Sequence, residues 1–329
     1  MSERVELAGD LLARPLAAVR EACSEVAASA RHVTIDAAAL ARYASEIPLG
    51  EFGTSPTSFP TRHADVESLA AYTLCLDAIN FGSGWFPKLA KAPGLSGYLT
   101  IELRLRERFE RAGPFSAREL RGIDARAVAE LLGQTPMTSP IDELMELFAR
   151  GLRDLGELVS TRTGGSFAGF VEEAGGSAAA LVRNLLAMPL YRDVAQHDGI
   201  TVPFLKRAQL TASDLAHALP ESLGRFRDLA QLTIFADNLV PHVLRLDGVL
   251  RFDSSLVARI EAEELIPSGS AEEVEIRACA VDAVEQLIGL LRARMPRITA
   301  RDLDDRLWRR GGKPEYKVRP RHRTRCPHY

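Results

Sequence analysis

The sequence predicts an all-α, multi-helical globular fold, and three observations support that prediction. Apolar residues recur at steps of three and four through most of the chain, which is the spacing of one helix face. Only two short, separate runs alternate in the manner of strands, at residues 98–103 and 199–204. No strand–helix–strand rhythm, internal repeat or low-complexity linker is present. Hydrophobic residues make up 46% of the 329 residues, so the chain can bury a sizeable core.

The first helices are predicted from their starts. Pro15 suits the first turn of a helix whose apolar stripe covers residues 16–26, because a first turn leaves its N–H groups unpaired. Asp36 can cap a second helix by accepting a hydrogen bond from such an N–H group. A third apolar pattern extends over residues 66–80.

Three longer patterns follow. Residues 139–140 open a long helix that ends before the glycines at 164–165, which suit a left-handed cap. Another long helix covers residues 274–291 and ends before Pro296. Thr299 can cap a last helix that carries Leu303 and Leu307. We expect a single domain over residues 1–329, which leaves open two helical lobes with the ligand cleft between them.

Composition limits the classes of function. The formal net charge is −3, so no general nucleic-acid or membrane surface is indicated. No apolar run reaches the roughly 18–20 residues that span a bilayer. Glu3, Glu6 and Asp10 interrupt the first stretch, so we expect no signal peptide. A cytoplasmic protein is therefore expected, as a monomer or small homo-oligomer.

Familiar catalytic motifs are absent from the sequence. The four cysteines are far apart, and the seven histidines show no HExxH spacing, so we expect no metal site and no cofactor. Without a GxSxG elbow or a phosphate-binding P-loop, serine hydrolases of the α/β class and kinases are disfavoured.

Asp304 lies on the apolar side of the predicted last helix. Asp302 and Asp305 each have an arginine four residues away, whereas Asp304 has Ala300 and Trp308 at those positions. A carboxylate on an apolar stripe must be paired, hydrogen-bonded, neutral or functional. The alternative is a boundary aspartate satisfied by another helix.

Asp237 shows the same anomaly within the segment LTIFADNLVP. The alternative is an aspartate at a helix end, before a turn broken by Pro241. Phe235 lies two residues back, on roughly the opposite face of a regular helix. Both side chains can contact one ligand only if the backbone departs from a helix here, which the proline would allow.

Other candidate residues carry weaker signals. Lys206 and Arg207 form a basic pair within an apolar stretch, and either bind phosphate or face solvent. Asn80 and Trp85 belong to the run NFGSGWF, which is either a base-stacking wall or a turn with packed aromatic residues. Six lysines and arginines crowd residues 313–329. Such a tail is solvated, docked on its own domain, or in contact with phosphate or tRNA.

Nine segments, in the same order, resemble those of the queuosine salvage proteins, a family of queuosine 5'-phosphate N-glycosylases. The resemblance covers the chain from about residue 30 to its end. The segments are LDAINFGSGWF (76–86), LSGY (95–98), GGSF (164–167), PLYRD (189–193), VPFLKRAQL (202–210), LTIFADNLVP (232–241), EEVEIRACAVDAVE (272–285), LDDRLW (303–308) and RHRTRCPHY (321–329).

The resemblance implies a fold related to helix-hairpin-helix DNA glycosylases. It also implies hydrolysis of queuosine 5'-phosphate to queuine and ribose 5-phosphate without metal or cofactor. By resemblance, Phe235 and Asp237 bind the base and Asp304 lines the site. Asp305 stands where relatives can carry an aromatic residue, and His63 is the nearest match to a histidine that some relatives have before LDAINF.

These residues suggest a mechanism. Cleaving the C–N bond builds positive charge on the ribose, which a carboxylate in a water-poor pocket stabilises. A second carboxylate suits the guanine-like edge of the base, because it accepts from two N–H donors at once. We expect Asp304 and Asp237 to divide these roles in an order left open, Phe235 or Trp85 to stack on the base, and the pair at 206–207 to hold the 5'-phosphate.

Two other functions remain open. A nucleic-acid base glycosylase of the same broad fold would need a basic groove and a glycine-rich hairpin, and neither is evident. A non-enzymatic helical binding protein would show repeats or long apolar faces. We therefore expect a small-molecule substrate, no stable nucleic-acid partner and no membrane.

Overall fold

A computed structural model describes residues 9–47, 58–62 and 64–329, and their regular structure is almost entirely helical. The α-helices are α1 (Gly9–Ala13), α2 (Pro15–Ser29), α3 (Ala37–Glu46), α4 (Val66–Ala78), α5 (Gly97–Ala112), α6 (Ala117–Arg121), α7 (Ala125–Leu132), α8 (Ile141–Thr163), α9 (Phe167–Glu172), α10 (Ala178–Leu185), α11 (Lys206–Ala218), α12 (Val240–Leu246), α13 (Ser254–Glu261), α14 (Ala271–Leu291), α15 (Ala300–Gly311) and α16 (Pro314–Lys317). Strands β1 (Val33–Ile35) and β4 (Leu250–Phe252) form one antiparallel pair, and β2 (Val194–His197) and β3 (Ile200–Pro203) form another. The all-α prediction is confirmed.

The predicted helix ends are confirmed where a cap or a turn residue sets them. The Asp36 carboxylate accepts the Ala39 N–H at the start of α3. At the start of α15, Thr299 and Asp302 form a reciprocal capping box. Gly164 adopts the left-handed conformation that ends α8.

One of the two alternating runs is not a strand. Residues 98–103 lie in α5, whose start is capped by Ser96, and Ile101, Leu105 and Phe109 share its buried face. Their spacing of four was the stronger signal. The other run does form β3, in register with β2 from Val194 opposite Pro203 onward.

Helix α14 holds the core together. It packs against α2, α3, α12 and α15, so it is buried on almost every side, and its charged residues Glu273, Glu275 and Arg277 are buried with it. Helix α4 plays the same part for α5, α8, α9 and α11. Within the described ranges, no helix combines the length and apolar character needed to cross a membrane.

Residues 313–329, here called the basic strap, dock on the rest of the chain. The docked alternative for the tail is therefore correct over the solvated one, and a contact with phosphate stays open. Main-chain oxygens of the strap accept hydrogen bonds from helix and loop residues along its length. These bonds join Arg245 to Pro320, Asn238 to His322, Ile266 to Arg323 and Gly82 to Tyr329.

Candidate functional site

A cavity of about 1130 Å³ lies between α11, α15, the loop 232–239 and the basic strap. That volume is ample for a nucleotide-sized ligand, since pockets for such molecules span about 300–1,000 Å³. Its wall includes six of the residues selected from the sequence. These are Asn80, Lys206, Phe235, Asp237, Asp304 and Asp305.

Asp304 reaches the cavity from the first turns of α15. Only 6% of the residue is exposed, and one carboxyl oxygen accepts the N–H of Phe235 at 2.8 Å. Burial raises the pKa of Asp304 to about 8, and the carboxylate of Asp237 adds to that rise, while the Phe235 N–H and the Lys206 ammonium oppose it. The group therefore exchanges its proton near neutral pH.

The loop 232–239 carries Phe235 and Asp237 in non-helical backbone. The backbone therefore departs from a helix here, as was required for Phe235 and Asp237 to contact one ligand, and both residues line the cavity. One Asp237 oxygen accepts the N–H groups of Leu239 and Val240, at 2.7 and 3.2 Å, where α12 begins. The carboxylate is thus fixed in place by the start of a helix.

Buried side chains hold this loop from behind. The Gln209 amide of α11 accepts the Thr233 N–H at 2.9 Å and donates to the Thr233 hydroxyl. The guanidinium of Arg277 on α14 donates to the Ala236 oxygen at 3.0 Å. The loop needs these partners because its backbone groups are buried outside a helix.

Lys206 is the first residue of α11 and is buried at the cavity wall, so the solvent-facing interpretation is wrong. Burial lowers the pKa of its ammonium, while Asp237, Asp77 and Asp304 raise it. The ammonium also approaches the Asn80 main-chain oxygen at 3.4 Å. Its charge is therefore already compensated by neighbouring acids.

Arg207 was expected to contact phosphate, and that prediction is wrong. Its guanidinium lies away from the cavity, donates to the main-chain oxygens of Ala78 and Leu190, and stacks between the rings of Phe81 and Tyr191. Consecutive helix residues point about 100° apart, and here Lys206 faces the cavity while Arg207 turns towards α4. Arg207 instead joins α11 to α4.

Trp85 was expected as a stacking wall, and it does not reach the cavity either. It is 1% exposed and donates its indole N–H to Glu143 of α8 at 3.0 Å. The packed-turn alternative is therefore correct for Trp85. Asn80 of the same segment does line the cavity. His63 lies outside the described residues.

Asp305 is half-buried at the cavity wall and pairs with Arg309 at 3.0 Å, the partner expected at four-residue spacing. Burial raises its pKa, while Arg309 lowers it. Asp305 thus reaches the cavity as one half of an ion pair.

Sequence reasoning missed two further acids, Asp77 and Asp214. Asp77 is fully buried in α4, and burial and Asp214 together raise its pKa well above its ordinary value. Asp214 lies on α11 and lines the cavity. The test that selected Asp304, an acid on an apolar helix stripe, would also have found Asp77.

Three acids, Asp237, Asp77 and Asp304, therefore lie close enough to act on the Lys206 ammonium at the cavity wall. Such an arrangement stabilises positive charge that develops on a ligand, and it can orient a water molecule for attack. Phe235 offers the cavity an aromatic ring beside the acids.

The chain is similar to known proteins over most of its length. Residues 60–329 match the family model described as queuosine salvage protein. The chain is 38% identical to the queuosine 5'-phosphate N-glycosylase/hydrolase of Sphaerobacter thermophilus over 273 residues, which cover 80% of this chain and 82% of that protein. The protein of the same name from Dictyostelium discoideum is 31% identical over 78% of this chain and 77% of its own length. The one from Mus musculus is 33% identical over 56% of this chain and 58% of its own length.

Proposed function

Because the chain belongs to the queuosine salvage protein family, we propose that it hydrolyses the N-glycosidic bond of queuosine 5'-phosphate and releases queuine. The observation that carries the proposal is the meeting of Asp304, Asp237 and Phe235 in one cavity. The products are the free base and ribose 5-phosphate, and water is the co-substrate. The reaction makes the chain a hydrolase of an N-glycosyl bond.

We assign Asp304 to the sugar. As the bond to the base lengthens, its electron pair leaves with the base and the ribose carbon becomes positive. An ionised Asp304 stabilises that charge and takes a proton from the attacking water as its oxygen bonds to the ribose carbon. That proton then passes to the departing nitrogen of the base, which leaves as neutral queuine. The raised pKa of Asp304 suits a base that must both accept and release a proton near neutral pH.

We assign Asp237 and Phe235 to the base. One Asp237 oxygen is held by two N–H groups of the chain, and the second is left to accept from the guanine-like edge of the ligand. The Phe235 ring supplies a stacking surface next to it. The 7-deaza base lacks the N7 atom that purine glycosidases protonate, so its orientation has to be fixed by this edge.

The proposal also covers location and partners. We place the reaction in the cytoplasm, carried out by a monomer or small homo-oligomer. The nucleotide is the partner and no stable nucleic-acid complex forms. Lys206, at the wall beside the acids, stays a predicted contact of the substrate.

Free queuine measured by chromatography after incubation with queuosine 5'-phosphate tests the function. We expect Asp304→Asn to lower kcat by about 10²–10³-fold, as loss of one preorganised transition-state stabiliser does. Asp237→Asn should lower kcat/KM to a similar degree. Asp124→Asn, a capping aspartate of α7 outside the cavity, is the matched control. Near-normal turnover in either cavity variant removes that residue from the mechanism.

The pH profile separates the two roles open to Asp304. If the ionised form acts, kcat/KM rises with pH and levels off above about 8, the pKa of the free enzyme's group. If the protonated form donated to the leaving base, kcat/KM would fall through the same range. We expect the rise, and we expect it to vanish in Asp304→Asn.

A further inference from the structure

Arg321 of the basic strap lines the cavity and, among the described residues, lacks the acidic partner that the neighbouring strap arginines have. Arg319, Arg321 and Arg323 alternate along the strap and all three line the cavity. Arg319 pairs with Glu261 at 3.4 Å and Arg323 pairs with Glu263 at 3.3 Å. Within residues 9–47, 58–62 and 64–329, Arg321 has neither an ion pair nor a side-chain hydrogen bond.

The backbone around Arg321 is fixed on both sides. Arg245 donates to the oxygen of Pro320 at 3.1 Å, and Asn238 donates to the oxygen of His322 at 3.2 Å. The direction in which Arg321 leaves the strap is therefore set before any ligand arrives. Such preorganisation is what a binding group needs, because the ordering of the chain has already taken place.

The charge of Arg321 is incompletely compensated at this position. Burial lowers its pKa, and the carboxylate of Asp237 opposes that effect without a direct hydrogen bond. A partly buried guanidinium with unused N–H donors is costly unless an anion occupies the adjacent space. Its planar fork matches the oxygens of a phosphate, which it binds in a bidentate manner.

We propose that Arg321 binds the 5'-phosphate of the substrate and so makes the chain prefer the nucleotide over the nucleoside. This inference rests on the proposed function. It replaces the role first expected of Arg207, whose guanidinium is used within the fold. It also differs from a phosphate site at Lys206, because that ammonium already has three acids around it. Asp237 lies close enough to act on Arg321, so one ligand can contact both.

Turnover of queuosine 5'-phosphate and of queuosine tests the inference directly. Arg321→Ala should lower kcat/KM for the nucleotide by about 10- to 100-fold, the usual effect of losing hydrogen bonds to a charged group. It should leave kcat/KM for the nucleoside within about twofold, which also shows that the variant folds. Arg321→Lys keeps the charge and loses the fork, so we expect an intermediate loss on the nucleotide.

Two controls come from the chain itself. Arg325→Ala removes an exposed strap arginine outside the cavity and should change neither substrate. Lys206→Met tests the competing cation. If Lys206→Met removes the preference for the nucleotide while Arg321→Ala keeps it, the phosphate lies at Lys206 and the inference is wrong. Equal losses on both substrates in Arg321→Ala would overturn it as well.

Binding of ribose 5-phosphate gives a readout that does not need turnover. Calorimetry should show binding to the unmodified chain and about 10-fold or greater weakening in Arg321→Ala, with ribose as the uncharged comparison. A chain that releases no queuine from either substrate would refute the proposed function, and the ribose 5-phosphate measurement would still decide the anion site. Equal affinity in both proteins would overturn the assignment to Arg321.

Discussion

The Asp304 carboxyl group is under opposing influences that favour different protonation states. Burial and the nearby Asp237 favour the neutral form, whereas the N–H of Phe235 and the Lys206 ammonium favour the charged form. Burial has the larger effect, so the folded chain holds a proton on this group up to about pH 8. An unfolded chain would lose that proton near pH 4.

The linkage between this proton and folding has a definite sign. Between about pH 4 and pH 8 the folded state binds a proton that the unfolded state lacks, so the free energy of unfolding falls as pH rises. We expect Asp304→Asn to remove this loss and to raise Tm by about 7 °C at pH 8.5, for roughly 5 kcal/mol, and by little at pH 4. Thermal denaturation across that range measures it.

Asp253 is a control, because its contribution to stability changes with pH in the opposite direction. Its pKa is lowered to about 2 by the hydrogen bonds it accepts from Leu256, Ser255 and His32, which exceed the effect of burial. The stability it contributes is present above about pH 4 and is lost as pH falls through 2. A gain in Tm for Asp304→Asn that did not depend on pH would contradict the assignment of a buried neutral acid.

Arg207 is a structural cation, and its replacement should affect stability first. Arg207→Lys loses the fork that joins the oxygens of Ala78 and Leu190, and it weakens the stack on Phe81 and Tyr191. We expect a loss of about 2–3 kcal/mol in the free energy of unfolding, measured with denaturant. The folded fraction should keep its preference for the nucleotide.

The control for Arg207 is Arg126→Lys on α7. Arg126 is mostly exposed and pairs with Glu130 four residues away, so its replacement should change stability by less than about 0.5 kcal/mol. If Arg207→Lys also proved neutral, the buried stack would contribute nothing measurable.

Single residues could be identified best from the sequence where a charged side chain stands at a position that the helical spacing predicts to be apolar. Asp304 and Asp237 stood out because a carboxylate on an apolar stripe needs an explanation, and both lie at the cavity. Arg207 and Trp85 were misassigned because a basic pair or an aromatic run does not state which way each side chain points. That direction depends on neighbours brought in by the fold, such as Glu143.

At the scale of elements, the strap closes one side of the cavity through close backbone contact. A Cβ on Gly84 would lie 2.5 Å from the main-chain oxygen of Thr324 and 2.8 Å from the N of Arg325. These atoms cannot move as a flexible side chain would. Gly84→Ala must therefore shift the strap and with it Arg321.

We expect Gly84→Ala to lower kcat/KM for the nucleotide by at least about 10-fold, through the displaced Arg321, and to cost about 1–3 kcal/mol of stability. Turnover together with limited proteolysis at the strap arginines measures both effects. Gly289→Ala is the matched control. Within the described part of the chain, no atom outside the adjacent backbone of α14 itself lies within 4 Å of its added Cβ, so Gly289→Ala should be neutral or slightly stabilising. An unaffected Gly84→Ala would show that the strap tolerates the displacement.

The sequence predicted elements where a local signal sets them. The caps at Asp36 and Thr299 and the glycine end at Gly164 depend on residues within one turn, and each was correct. The loop 232–239 and the path of the strap could not be predicted in this way. They depend on Gln209, Arg277 and Asn238, which are distant in sequence.

At the scale of the whole molecule, two buried helices each hold together one group of neighbouring helices. Helix α14 packs against α2, α3, α12 and α15, and α4 packs against α5, α8, α9 and α11. The ion pair of Arg277 on α14 with Asp193 at 2.6 Å joins the two groups, because Asp193 also accepts the main-chain N–H of Lys206 on α11. The likeness to helix-hairpin-helix glycosylases stays a prediction.

Because these contacts join the two groups of helices, we expect the chain to unfold as one unit. We expect a single calorimetric transition, with equal calorimetric and van't Hoff enthalpies, for the unmodified chain. Ribose 5-phosphate at 100 times its Kd should shift that whole transition upward, because a ligand that binds only the folded state adds about 2.7 kcal/mol. Two transitions, of which the ligand moved one, would instead show that the lobes on either side of the cavity fold independently.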